Sequence, residues 1–231
     1  DRLVVEILET ADGTGERLDL VQSRTLVEWR HLLSAARGRV SHEAATGLFG
    51  ELSILCHLAK TQPQLALDAW VGPTLAPRDF HHGRHGIEVK SRLVGSAERV
   101  HINSLEQLDS REFDRLTLAV VDVEDDELGT SLGQLADRAV SLGVPRLALN
   151  DRLEGFGFVA GMVGDDDRRM SAKRLRTWTV ASGFPALTSA MIPDGVNQAL
   201  AGVAYTLELA RLGAPVLDDW GSLTRAMGWD S

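Results

Sequence analysis

Asp79, Glu88 and Lys90 stand within "PRDFHHGRHGIEVKS", the last two separated by a single residue. The Gly-rich turn "HHGRHG" divides two strand segments, and its length and composition let them pair as an antiparallel hairpin that brings Asp79 near Glu88 and Lys90. Alternate strand residues share a face, so Glu88 and Lys90 point together while Val89 points into the core. Two carboxylates and a backbone carbonyl, that of Val89, make an open site for Mg²⁺, a hard cation that takes oxygen ligands and keeps several waters. Such an ion polarises a phosphodiester, lowers the pKa of a bound water and neutralises developing charge. Lys90 would orient or help deprotonate that water and meet the phosphate.

A further carboxylate lies upstream. In "GLFGELSILCHLA", Leu48, Leu52, Leu55 and Ala59 recur along one helical face, and Glu51 falls on the same face. A carboxylate there needs a partner. It is either an ordinary salt bridge at a wet helix edge or a third acidic group directed at the Asp79–Glu88 site. Cys56, the single cysteine, rules out an internal disulfide and reads as a buried thiol in the same helix.

The elements that position these residues follow from periodicity and punctuation. Residues 2–8 and 17–22 read as strands, and 25–36 as a helix with Leu26, Trp29, Leu32 and Leu33 on one side. Ser41 is a candidate N-cap for the Glu51 helix. After the Pro- and Gly-punctuated stretch "TQPQLALDAWVGPTLAPRDF" come strands at 86–93 and 99–103, a helical turn at 104–110 and an apolar strand at 116–123. Beyond them, 131–142 has helical spacing, 155–163, 176–182 and 203–209 read as strands, and 212–231 reads as a peripheral tail. The expected organisation is an N-terminal β/α extension over 1–40, a core over 41–165 and a C-terminal accessory region over 166–231 packed on that core.

Over 47–109 the chain resembles the PD-(D/E)XK nucleases, the restriction-endonuclease-like fold, and most nearly a bacterial family of PD-(D/E)XK motif proteins found in restriction and phage-defence clusters. In that superfamily a helical Glu, a strand Asp and a Glu/Asp-x-Lys follow in this order, as do Glu51, Asp79 and Glu88-Val89-Lys90. The signatures appear here as "GLFGEL", "WVGP", "RDF", "IEVKS" and "HINSLEQL". The Pro is displaced to give "PRD", and position 111, where some members carry a Tyr after the helical Gln, is Arg. The resemblance implies an α/β restriction-endonuclease-like core: helix, three-strand antiparallel hairpin region, helix and strand, with a mixed central sheet flanked by helices and additions at both ends. It implies catalysis by Glu51, Asp79, Glu88, Lys90 and Gln107, the last supporting Lys90 and the phosphate. Mg²⁺, replaceable by Mn²⁺, would be held by Asp79, Glu88 and the Val89 carbonyl, with Glu51 acting through water.

A formal net charge of −9 argues against a free-standing, tight nucleic-acid binder, which needs clustered Lys and Arg. The charge is uneven. "VEDDEL" at 123–128 and "GDDDRR" at 164–169 read as acidic turns, whereas "RRMSAKRLR" at 168–176 carries five basic residues and reads as a helix, either a solvated face or a phosphate-contacting one. Candidate DNA contacts are therefore Arg84, Arg92, Arg168, Arg169, Lys173, Arg174 and Arg176. His81, His82 and His85 suggest zinc, but Gly83 and Gly86 favour an exposed turn. His101 and Asn103 either face the site or pair across the sheet, and the five Trp residues are most simply core or partner contacts. No apolar run of membrane-spanning length and no signal-peptide pattern occurs, so a cytoplasmic protein without a membrane partner is expected, cut from a longer chain since no initiator Met is present. The leading function is a Mg²⁺-dependent DNA endonuclease, the cleavage subunit of a restriction or phage-defence system, working as a homodimer or with methyltransferase or ATPase subunits. The alternatives are a catalytically silent scaffold of the same fold and a nuclease selective for branched or single-stranded DNA.

Overall fold

The computed structural model describes residues 40–72, 78–159, 168–200 and 202–229. The strands read at 2–8 and 17–22 and the helix read at 25–36 lie outside these residues. A five-stranded mixed sheet forms the centre, in the order β1 (Phe80–His82), β2 (His85–Leu93), β4 (Arg115–Thr130), β5 (Met170–Thr179) and β7 (Val216–Leu217). Only the β2–β4 pairing is parallel. The run Leu116–Val123 is buried throughout, as expected for a strand covered on both faces.

Helix α1 (His42–Leu58) packs on β2 and on α3 (Leu132–Ser141). It starts where Ser41 caps it, the hydroxyl accepting from the Ala44 N–H, and Leu48, Leu52, Leu55 and Ala59 are all buried. Gly50 sets how closely α1 approaches the sheet. A Cβ at that position would lie 2.0 Å from Ser91 Oγ and 3.3 Å from Ser91 Cβ; the hydroxyl can rotate away, the β-carbon cannot. Gly50→Val is therefore expected to lift α1 off β2 and cost about 2–3 kcal/mol of stability, read by urea denaturation.

The other face of the sheet is covered by a two-stranded antiparallel sheet of β3 (Arg99–Ile102) and β6 (Tyr205–Glu208). Val100, Ile102 and Leu207 meet Leu116, Leu118, Val120 and Trp178 in one apolar cluster. The strand read at 99–103 thus exists but leaves the hairpin sheet, because its main-chain partner comes from the C-terminal part of the chain. Residues 104–110 form turns instead of a helix; a single Asp109 N–H to Glu106 carbonyl bond closes them.

Other departures share a cause, long-range pairing that overrides local pattern. The acidic run at 123–128 continues β4, and the basic run at 168–176 is mostly strand β5. The two neutralise each other across the ladder: Lys173 pairs with Glu124 and Asp126, and the Ser171 hydroxyl donates to Asp126. The strand read at 155–163 is not present over 155–159. Helix α4 (Arg146–Gly155) ends there and Gly157, at φ +77°, supplies the left-handed residue after its cap. Pro63 opens a further helix, α2 (Pro63–Ala69), and α5 (Asp194–Asn197) is a single turn. The segment 212–231 is no peripheral tail as far as Trp229: β7 joins the sheet edge, α6 (Gly221–Ala226) packs on α1, β2 and β4, and Leu223, Met227 and Trp229 are buried. Among the described residues no helix is long and apolar enough to cross a membrane.

Candidate active site

The hairpin forms, but its turn is shorter than the six residues 81–86 read from the sequence, since His81, His82, His85 and Gly86 lie in its strands. Phe80 pairs with Ile87 and His82 with His85, leaving Gly83 and Arg84 as a two-residue loop in which Gly83 takes φ +57°. Because β1 is only three residues long, the edge of β2 beyond Ile87 is open. Asp79 turns into that gap and its Oδ2 accepts the Val89 N–H at 2.7 Å. The N–H and C=O of one strand residue point to the same side, so the Val89 carbonyl also faces this edge.

Glu88 and Lys90 project together from β2. Lys90 Nζ lies 2.7 Å from Glu88 Oε1 and donates to Gln107 Oε1 at 3.2 Å; the Asn103 N–H donates to the same Gln107 oxygen at 2.7 Å. The turns at 104–110 therefore deliver Gln107 to Lys90 without a helix. Glu51 arrives from α1, its Oε2 accepting the Trp70 indole N–H at 2.7 Å. Trp70 is itself fixed where α2 ends: it bridges to Phe80, and the next residue, Val71, donates its N–H to the Asp79 carbonyl. Three acidic residues from three elements thus converge on one open strand edge.

The electrostatics are dominated by burial. Glu88 is fully buried, and neither of its oxygens has a hydrogen bond of good geometry although Lys90 is adjacent. Burial and the charges of Asp79 and Glu51 push its pKa well up, against the pull of Lys90. Asp79 is also raised, by burial, against the Val89 N–H and Lys90. Glu51 is pushed up to about 8 by burial and then by Asp79, opposed by the Trp70 hydrogen bond and Lys90. An acid whose folded pKa exceeds its unfolded value stabilises fully below the unfolded pKa, and that contribution is lost as pH rises through the folded one. In chelator, the wild type is thus expected to lose stability relative to Glu51→Gln between pH 5 and about 8, by on the order of 3 kcal/mol, read by thermal melts across that range.

The donor set fits a hard divalent cation. Among the described residues no three His, Cys, Asp or Glu side chains form a ready-made metal cluster, the histidine turn included. Asp79, Glu88 and the Val89 carbonyl instead offer an open set to be completed by water; Lys90 lies 2.7 Å from Glu88 Oε1, and the buried Oε2 is left without a hydrogen-bond partner. A cation held there would polarise a phosphodiester and lower the pKa of a bound water.

Arg78 is a neighbour that spacing alone did not reveal. It is buried, stacks 4.4 Å over the Phe113 ring, donates to the Asp109 carbonyl and feels the charge of Glu88. Its place beside Asp79 was the one available signal. His101 faces Thr206 across the β3–β6 pair, and the hairpin histidines pack locally: His81 on Phe113, His82 on Trp229.

The cations read as phosphate contacts divide. Arg92 and Arg176 are buried in a network with Asp122, at 2.8 and 2.7 Å, and with Glu98, at 2.9 and 2.6 Å, so their charges are spent inside the protein. Arg84 pairs with Asp114, Lys173 with Glu124 and Asp126, and Arg169 donates to Gly129 and Gln134. Arg168 and Arg174 are exposed.

No curated protein and no solved structure matches the chain. A family model described as "Putative PD-(D/E)XK family member, (DUF4420)" matches residues 1–210. With that match, a mixed sheet flanked by helices and a Glu51, Asp79, Glu88-Val89-Lys90 order gathered at one strand edge, the chain belongs to this PD-(D/E)XK family and has its nuclease-like fold.

Proposed function

We propose that the protein is a Mg²⁺-dependent DNA endonuclease, with Mn²⁺ able to substitute. The observation that carries this reading is Glu88, a fully buried carboxylate beside Asp79 whose Oε1 lies 2.7 Å from Lys90 Nζ and whose Oε2 has no hydrogen-bond partner. Asp79, Glu88 and the Val89 carbonyl hold the ion, and Glu51 reaches it through water. Lys90, fixed by Gln107, orients the attacking water and meets the scissile phosphate, while Trp70 holds Glu51 in place. With Arg92 and Arg176 consumed internally, DNA contact from this chain rests on Lys90, Arg84, Arg168, Arg169, Lys173 and Arg174. The remaining affinity and the specificity come from a second copy or from methyltransferase or ATPase subunits of a bacterial restriction or phage-defence system, acting in the cytoplasm.

Cleavage of supercoiled and linear plasmid by wild type and Lys90→Ala, with Mg²⁺, Mn²⁺, Ca²⁺ or EDTA, tests the proposal. Nicking or linearisation that requires Mg²⁺ or Mn²⁺ and disappears in the variant supports it. Inert wild type under every condition, with and without partner subunits, replaces it with a silent scaffold of the same fold.

A further inference from the structure

Helix α1 has a second functional-looking face. At 100° per residue, Phe49, Ser53, Cys56, His57 and Lys60 fall on the side opposite Glu51. They line a cavity of about 410 Å³, together with residues of α3 and β5, including Arg138 and Met170, and Trp220 at the N-cap of α6. That volume lies within the ~300–1,000 Å³ typical of small-molecule sites.

The chemistry of its lining is unlike the rest of the molecule. In a protein of net charge −9, no Asp or Glu lines this cavity, and its charged lining residues are Lys60 and Arg138. Neither has a carboxylate partner among the described residues, although both act on the buried Cys56 thiol between them. Asp219, the carboxylate felt by His57, is held by Arg225. Burial, followed by Lys60, holds the His57 pKa below its usual value, which favours a neutral ring. That ring lies 5.7 Å from the Trp220 indole at an interplanar angle of 42°, so one wall is aromatic while the cations sit alongside.

We propose that this cavity binds a mononucleotide, Lys60 and Arg138 receiving its phosphate and the Trp220–His57 wall its base. Two cations lining one cavity suit a phosphate monoester, and aromatic side chains stack any nucleobase. The site is separate from the Glu88 centre, since α1 stands between the two.

Calorimetric titration of the full chain in EDTA, with dAMP, inorganic phosphate and deoxyadenosine as separate probes, tests the assignment. The expected result is saturable dAMP binding at least about tenfold tighter than either part, weakened about tenfold or more in Lys60→Gln/Arg138→Gln and unchanged in Glu88→Gln. Three outcomes overturn it: no binding of dAMP up to about 10 mM, equal affinity for phosphate alone, or binding lost in Glu88→Gln and retained in the double variant. Both cations are exposed, so loss of fold does not confound the double variant.

Discussion

Glu88→Gln is expected to lower metal-dependent cleavage by about a thousandfold while leaving the chelated protein as stable as the wild type or more so. The two halves have one origin. Glu88 is fully buried, and burial plus the neighbouring Asp79 and Glu51 charges raise its pKa well above the ordinary range. Removing that charge relieves a desolvation cost in the metal-free protein, and the amide keeps the shape. On the proposed function the same removal takes away an anionic ligand of the ion, and losing a preorganised electrostatic contact to the reacting centre costs about 10²–10³ in rate even for a single neutral donor. Plasmid cleavage with Mg²⁺ or Mn²⁺ and thermal melts in EDTA read the two quantities. Lost activity accompanied by an equal loss of stability would assign Glu88 a structural role instead.

Asp122→Ala is expected to be the most damaging substitution outside the apolar core. Asp122 Oδ1 receives Arg92 at 2.8 Å and Arg176 at 2.7 Å, and all three side chains are at most 8% exposed. Glu98 also touches both guanidiniums, but its side chain is 56% exposed and already shared. Removing one partner of a buried ionic group leaves uncompensated charge in a poorly solvated place, at a cost of about 3–5 kcal/mol. Urea denaturation gives the number. The double substitution Arg92→Met/Asp122→Leu is expected to recover part of the loss, because apolar groups of similar volume need no partner there.

The residues that carry this site were legible because their spacing is local. A strand puts Glu88 and Lys90 on one face whatever the tertiary fold, and a two-residue hairpin loop carries Asp79 back to them. Glu51 was legible as an anomaly, a carboxylate on an apolar helical face. Trp70 as its donor was not, since the indole reaches Glu51 only after α2 ends and bridges to Phe80. The basic stretch 168–176 misled for a similar reason: clustered charge resembles a solvated helix, but Met170, Leu175 and Arg176 are buried in a strand, and the acids that answer Lys173 and Arg176 lie far upstream, over 98–126. Local pattern specified the candidate site, and distant pairing decided which charges are neutralised inside the protein.

That distant pairing governs when the candidate site is fully assembled. Ile102 finds its strand partner in Tyr205, and the hairpin turn rests on residues still later, with His82 against Trp229 and the His85 ring under Gly228. High contact order of this kind slows folding, because loop closure precedes any compensating contact. At ~5–20 residues per second on a ribosome, the interval between synthesis of Gln107 and of Trp229 is about 10 s. Throughout it the nascent chain carries all five residues of the site without β6 and α6, the late elements that pack on the central sheet. The candidate site is therefore completed only when residues as late as Trp229 are available to pack against the hairpin.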